Sequence, residues 1–276
     1  MRKLIVFALM LSACEGSFAP KASLSVSNAD SIIGGTEVSY ADPVTQKVLS
    51  FKVLWDKKEV ETENAIETTW KASQCTASAI APRIILTAAH CISKIAEINR
   101  IEIPTEEGGE EHFNVIKTVV HPDYEKDKTS DLALLHLELA LPERVQILSL
   151  PTKENPLTLT EVQAAGFGKI SGRKDNPAGV GVLRKVDLTV VDFKLDAQIF
   201  SVDQTTGKGV CQGDSGGPAM VDVNHETYVV GVVSKTRYIP DENGNAEDIC
   251  SYRGQYVNVQ HYLDWIVPEM EKLSLE

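Results

Sequence analysis

The sequence contains no apolar run long enough to cross a bilayer and no cluster of Lys and Arg longer than a pair. It also has no internal repeat and no low-complexity segment. A spanning helix needs ~20 apolar residues, so none is expected. Without a basic patch there is no footprint for a phosphate backbone, and the net charge of −12 repels one, so no nucleic-acid partner is expected. H-E-x-x-H and C-x-x-C are both missing, which removes the common zinc signatures. Cysteine is sparse, with only five residues. What is present is an ordinary globular composition, 43% hydrophobic and 24% charged, on 276 residues, enough to bury a substantial core.

The N-terminus reads as a targeting signal. Arg2 and Lys3 precede a short apolar run from Leu4 to Leu11, the pattern of a signal peptide, with export implied. The segment closes on Leu11-Ser12-Ala13-Cys14, which resembles the lipobox of bacterial lipoproteins, where the cysteine is lipidated. The alternative is an ordinary signal peptide with an incidental cysteine. Parity favours lipidation of Cys14, because an exported chain pairs its thiols and the remaining four are Cys75, Cys91, Cys211 and Cys250. Four cysteines allow three connectivities, and arithmetic does not choose among them. Residues 1–13 are thus read as signal peptide, 14–31 as a small, polar linker or propeptide, and 32–276 as the folded domain.

Within that domain, short β-rich runs are separated by turn residues: Val48 to Leu54, Ala77 to Leu86, Val115 to Val120, Leu132 to Leu137, Val182 to Val191 and Tyr228 to Ser234. Strands of this length and spacing predict a sandwich or barrel. One amphipathic helix is expected from about Val259 to Leu273, loosened or kinked at Pro268.

The chemistry concentrates in three places. Gly213-Asp214-Ser215-Gly216-Gly217-Pro218 places a serine in a glycine-flanked turn that exposes the hydroxyl and leaves backbone N–H groups for an oxyanion. Thr87-Ala88-Ala89-His90-Cys91 sets a histidine among small residues at the end of an apolar run, and an imidazole is the base such a serine needs. Ser130-Asp131-Leu132 opens another apolar run with a carboxylate, which is costly to bury unless paired. Each motif alone has a bland reading as a turn, a packed histidine or a strand entry.

Together, His90, Asp131 and Ser215 in that order resemble the trypsin and chymotrypsin-like serine proteases, from Ile32 to about Ile266. The resemblance implies an all-β fold of two antiparallel six-stranded β-barrels, the first over about 32–150 and the second over about 151–256, with a C-terminal helix at about 257–273. It implies Ser215 as nucleophile, His90 as general base and acid, Asp131 as the group that orients the histidine, and an oxyanion hole from the N–H groups of Gly213 and Ser215. It implies disulfides Cys75–Cys91 and Cys211–Cys250. Gly166-Phe167-Gly168 resembles the family's Gly-Trp-Gly, and Ser234 falls where a serine supports the buried aspartate. No cofactor or metal is implied.

Ile32-Ile33-Gly34-Gly35 resembles the N-terminus that such proteases expose on zymogen cleavage, where the freed amine pairs with the aspartate beside the serine, here Asp214. Ser31 departs from the usual Arg or Lys before the cut, so a non-tryptic activating protease is expected as a partner. Cleavage there severs the chain from Cys14 and releases it from any lipid anchor. The specificity pocket maps to Gly209, Val210, Ser234, Thr236 and Gly254. Gly209 supplies no carboxylate for Arg or Lys, and Thr236 narrows the mouth, which favours small or medium apolar side chains; Lys208, Lys235 and Arg237 are either solvated or favour an acidic one. Glu106 to Glu111 resembles the calcium loop of some trypsins, but Arg100 stands where a carboxylate is needed, so Glu107 and Glu110 are read as part of a solvated turn. The expected activity is that of a monomeric serine endopeptidase on protein or peptide substrates; the alternative is a silent or ester-preferring member of the fold.

Overall fold

The computed structural model describes residues 32–61, 66–175 and 178–276. The signal segment, Cys14 and the linker through Ser31 lie outside the described residues. The order of elements is β1 Thr36–Glu37, β2 Leu49–Glu61, β3 Ile66–Ala81, β4 Ile84–Thr87, β5 Ile98–Pro104, β6 Glu110–Val120 and β7 Ala133–Leu137. Then follow β8 Glu161–Gly166, β9 Arg184–Thr189, β10 Ile199–Asp203, β11 Pro218–Val223, β12 Glu226–Arg237, β13 Arg253–Asn258 and the helix α1 Leu263–Ser274.

The first barrel closes in the order β2-β3-β4-β7-β6-β5, all antiparallel, because β2 pairs with β3 on one edge and β5 on the other. Closure removes every unpaired edge. Its walls follow the side-chain pattern: β4 and β7 are buried throughout, whereas β6 alternates between half-buried and exposed positions. The apolar run expected to be continuous from Ala77 to Leu86 is two strands, since the chain turns at Pro82-Arg83 between β3 and β4.

The second sheet runs β1-β9-β8-β11-β12-β13-β10, and its two ends meet at a single bridge, Val190 to Val202. The expected closed six-stranded barrel is therefore a seven-stranded sheet curled almost shut. The cause is competition for one edge: β1 pairs with Arg184 and Lys185 of β9, which leaves only the far end of β9 to reach β10.

The C-terminal helix starts at Leu263, four residues later than expected, and runs on through Pro268. It crosses back to pack on β4 and β7 of the first barrel. There it buries Leu263, Ile266 and Leu273, each stabilising the packing by roughly 1.5–3 kcal/mol. Tyr262, just before the helix, hydrogen-bonds its hydroxyl to that of Ser130 at 3.0 Å. The end of the chain thus braces the segment that carries Asp131.

Candidate active site

Asp131 enters β7 from a loop and is almost fully buried. Burial alone raises a carboxyl pKa and is the largest single influence here. It is outweighed by the hydrogen bond and charge of His90, the Ser234 hydroxyl and the His90 backbone N–H, which together hold Asp131 below its ordinary value. The geometry is tight: the His90 N–H donates to Asp131 Oδ1 at 2.9 Å, the ring Nδ1 lies 2.7 Å from Oδ2, and Ser234 donates to Oδ2 at 2.6 Å. A carboxylate only accepts, so Nδ1 carries the proton in this contact. His90 sits in the short 3₁₀ turn Ala89–Cys91 after β4, where the disulfide from Cys91 to Cys75 ties it to β3.

Ser215 comes from the second barrel. Its turn is tied to the first barrel by the Thr76 N–H of β3, which donates to Ser215 O at 2.8 Å, and to its own sheet by the Gly216 N–H, which donates to Val233 O of β12 at 2.8 Å. Gly216 has φ +81, and a Cβ there would strike Thr87 and the backbone of Thr76 and Ala88, so only glycine fits. Cys91 Sγ is 3.7 Å from Ser215 O, which sets the serine against the histidine turn. The hydrogen bonds of His90 go to Asp131, and none joins it to the Ser215 hydroxyl. Among the described residues, neither the Gly213 N–H nor the Ser215 N–H meets a protein acceptor.

Trypsin-family sequences match this chain over residues 59–266. The chain belongs to the trypsin family. It is 28% identical over 225 residues to the CLIP domain-containing serine protease B4 of Anopheles gambiae, covering 70% of this chain and 61% of that one. It is 29% identical over 237 residues to the venom serine protease Bi-VSP of Bombus ignitus, covering 75% and 61%. Trypsin-1 of Astacus astacus is 28% identical over 215 residues, covering 70% and 86%. The chain thus spans 61% of the length of the first two relatives.

In this trypsin-family chain the second disulfide joins Cys211 to Cys250. Two disulfides mark an oxidising compartment. No helix among the described residues is long and apolar enough to cross a membrane. Ile32 is fully buried in the core of the second sheet, and the next residue, Ile33, bridges to Gly209, whose N–H donates to Ile33 O at 2.9 Å. Asp214 is fully buried too. Its carboxylate accepts the N–H groups of Gly168 and Cys211, both at 2.8 Å. Burial pushes its pKa up to about 7, against the lowering effect of those amides and of the Arg184 charge. Among the described residues, no hydrogen bond joins Ile32 to Asp214.

Of the pocket residues, Val210 is buried, Ser234 is committed to Asp131, and Thr236 pairs with Gly254 across β12 and β13 with its hydroxyl 3.8 Å from Cys250 Sγ. The acidic turn is closed on itself, with the Gly109 N–H donating to Thr105 Oγ1 and Arg100 held by Glu102 at 2.7 Å. Among the described residues, the one trio of side chains close enough to hold a metal is Cys75, His90 and Cys91, and its two sulfurs are joined to each other.

Sequence reasoning missed Thr76. This fully buried residue donates its hydroxyl to Gly213 O at 2.9 Å and accepts the Phe167 N–H at 3.2 Å, fastening the serine turn to both barrels. Its position after Cys75 was the only local hint.

Proposed function

We propose that this chain is a serine endopeptidase in which Ser215 attacks the scissile carbonyl. His90 accepts the proton at Nε2 and returns it to the leaving amine, and Asp131 holds the imidazole tautomer and stabilises the cation. The tetrahedral oxyanion takes the N–H groups of Gly213 and Ser215, a type of contact whose loss costs ~2.7–4 kcal/mol. Water then cleaves the acyl-enzyme by the same route in reverse. The observation that carries this reading is the His90–Asp131–Ser234 network set against a serine turn with two uncommitted amides. Contacts between serine and base are often long in a free enzyme and tighten around substrate.

Activation belongs to the same proposal. A cut before Ile32 supplies an amine that pairs with Asp214, and the buried carboxylate with backbone donors alone supports such a role. Ser31 points to a non-tryptic activating protease. With Cys14 lipidated, that cut also releases the enzyme from its membrane; fractionation with N-terminal sequencing tests this, and an active form that keeps Cys14 overturns it.

The chemistry is tested by labelling with a fluorophosphonate probe and by mass spectrometry of a cleaved peptide library, with Ser215→Ala as control. Labelling and cleavage lost in the control support the endopeptidase. A folded, matured protein that cleaves esters and no peptide overturns it.

A further inference from the structure

Glycine at Gly209 and at Gly254 leaves space that any other residue would fill, so an empty and deep pocket is the natural expectation. That space is occupied. Gln204 follows β10, donates its N–H to Tyr252 O at 3.1 Å, and turns its side chain inward until 2% of the residue is exposed. A Cβ on Gly209 would lie 2.6 Å from both Cγ and Nε2 of Gln204, and a Cβ on Gly254 would overlap its Oε1. The carboxamide therefore lies between the two glycines, and their missing side chains are what admit it.

The hydrogen bonds decide what this group offers a substrate. Gln204 Nε2 donates to Val210 O at 3.1 Å and to Cys250 O, while Oε1 accepts the Val210 N–H at 3.0 Å. A carboxamide has two N–H donors, and both are engaged. No donor is left for a substrate carboxylate and no charge for a substrate cation, and burying either ion unpaired costs several kcal/mol. Of the cations nearby, Arg237 is engaged by Gln255, to which it donates at 2.9 Å.

We propose that Gln204 forms the floor of the primary substrate pocket and restricts the enzyme to short, uncharged side chains before the scissile bond, such as those of alanine, serine and valine. The inference rests on the reading of Ser215 as the nucleophile. Gln204 ties Val210 and Cys250 into one rigid floor, so the restriction is built into the fold and not into a movable loop.

The test uses the full chain with an enteropeptidase recognition segment at positions 27–31, so that cleavage exposes Ile32, and compares wild type, Gln204→Ala and Thr236→Gly. Fluorophosphonate labelling of Ser215 reports the nucleophile, and a peptide library reports the side chain before each cut. The expected result is labelling of all three proteins and wild-type cleavage after alanine, serine or valine. Leucine, phenylalanine, lysine and glutamate should be disfavoured by roughly 10-fold or more. Gln204→Ala should then gain leucine and phenylalanine by a similar factor. A labelled wild type that cleaves after large or charged side chains overturns the inference and leaves the nucleophile standing. Broadening in Thr236→Gly with none in a folded Gln204→Ala also overturns it, by placing the restriction at the mouth. If Gln204→Ala fails to fold, the wild-type profile and Thr236→Gly decide in the same way. Loss of labelling throughout removes the nucleophile reading, and the inference with it.

Discussion

Two buried aspartates in this molecule have opposite fates. Asp131, at the edge of the first barrel, is held below its ordinary pKa, and Asp214, in the second, is pushed up to about 7. Burial acts in the same direction on both. The difference lies in the partners: Asp131 has an imidazole, a hydroxyl and a backbone N–H converging on it, and Asp214 has two amides and an attractive charge from Arg184. A carboxylate is thus kept charged by what the fold brings to it: three donors outweigh burial at Asp131, and two amides with the more distant charge of Arg184 do not at Asp214.

The sharpest way to break this comparison is to neutralise Asp131. Asp131→Asn should lower kcat on a peptide substrate by about 10⁴-fold with the fold retained, because the amide favours the wrong histidine tautomer. Steady-state kinetics on the matured protein checks it.

The next effect concerns Asp214. A carboxyl whose native pKa is raised binds its proton more tightly when folded, so the stability it confers is full below the unfolded value of 3.8 and is lost as pH rises towards about 7. The uncleaved chain should lose roughly 4 kcal/mol across that window relative to Asp214→Asn, measured by denaturant unfolding at each pH. Asp131 works in the reverse sense, its contribution being present above 3.8 and lost as pH falls further. Cleavage before Ile32 should abolish the Asp214 dependence, and a cleaved chain with an unchanged profile would refute the proposed pairing.

Ser234→Ala removes a charge-assisted donor from Asp131 and should cost about 1.5–3 kcal/mol in unfolding free energy, with the acid limb of the rate profile moved to higher pH. Thr76→Val should cost about 1–3 kcal/mol by stranding the Phe167 N–H, and should lower kcat more than it raises KM because the serine turn loses a fastener. Urea unfolding and kinetics on the same sample separate the two effects.

Much of the first barrel was legible as runs of alternating or continuous apolar residues, with β4 and β7 overlapping or lying within expected runs, as do β9 and β12 of the second sheet. In the second sheet the two-residue β1 and the longer β8, β10, β11 and β13 were not. The last four share a cause. In each, polar or small residues such as Gln163, Ser201, Asp222 and Gly254 interrupt the pattern, and pairing with neighbours supplies the order instead. The cysteines, and the three residues proposed as the triad, were legible because each sits in a local motif. Gln204 and Thr76 were not, since a glutamine in a turn and a threonine after a cysteine look ordinary until they are buried.

The residue order by itself determined the family, the identity of the nucleophile, base and acid proposed here, and which cysteines were available to pair. Only the tertiary structure decided that the second sheet ends in a single closing bridge, that Asp131 and Asp214 are shifted in opposite directions from the ordinary carboxyl pKa, and that Gln204 fills the space between Gly209 and Gly254. The reason is one of range. Backbone preference and side-chain period act over a few neighbours, whereas desolvation and hydrogen bonding depend on which distant segments exclude water together.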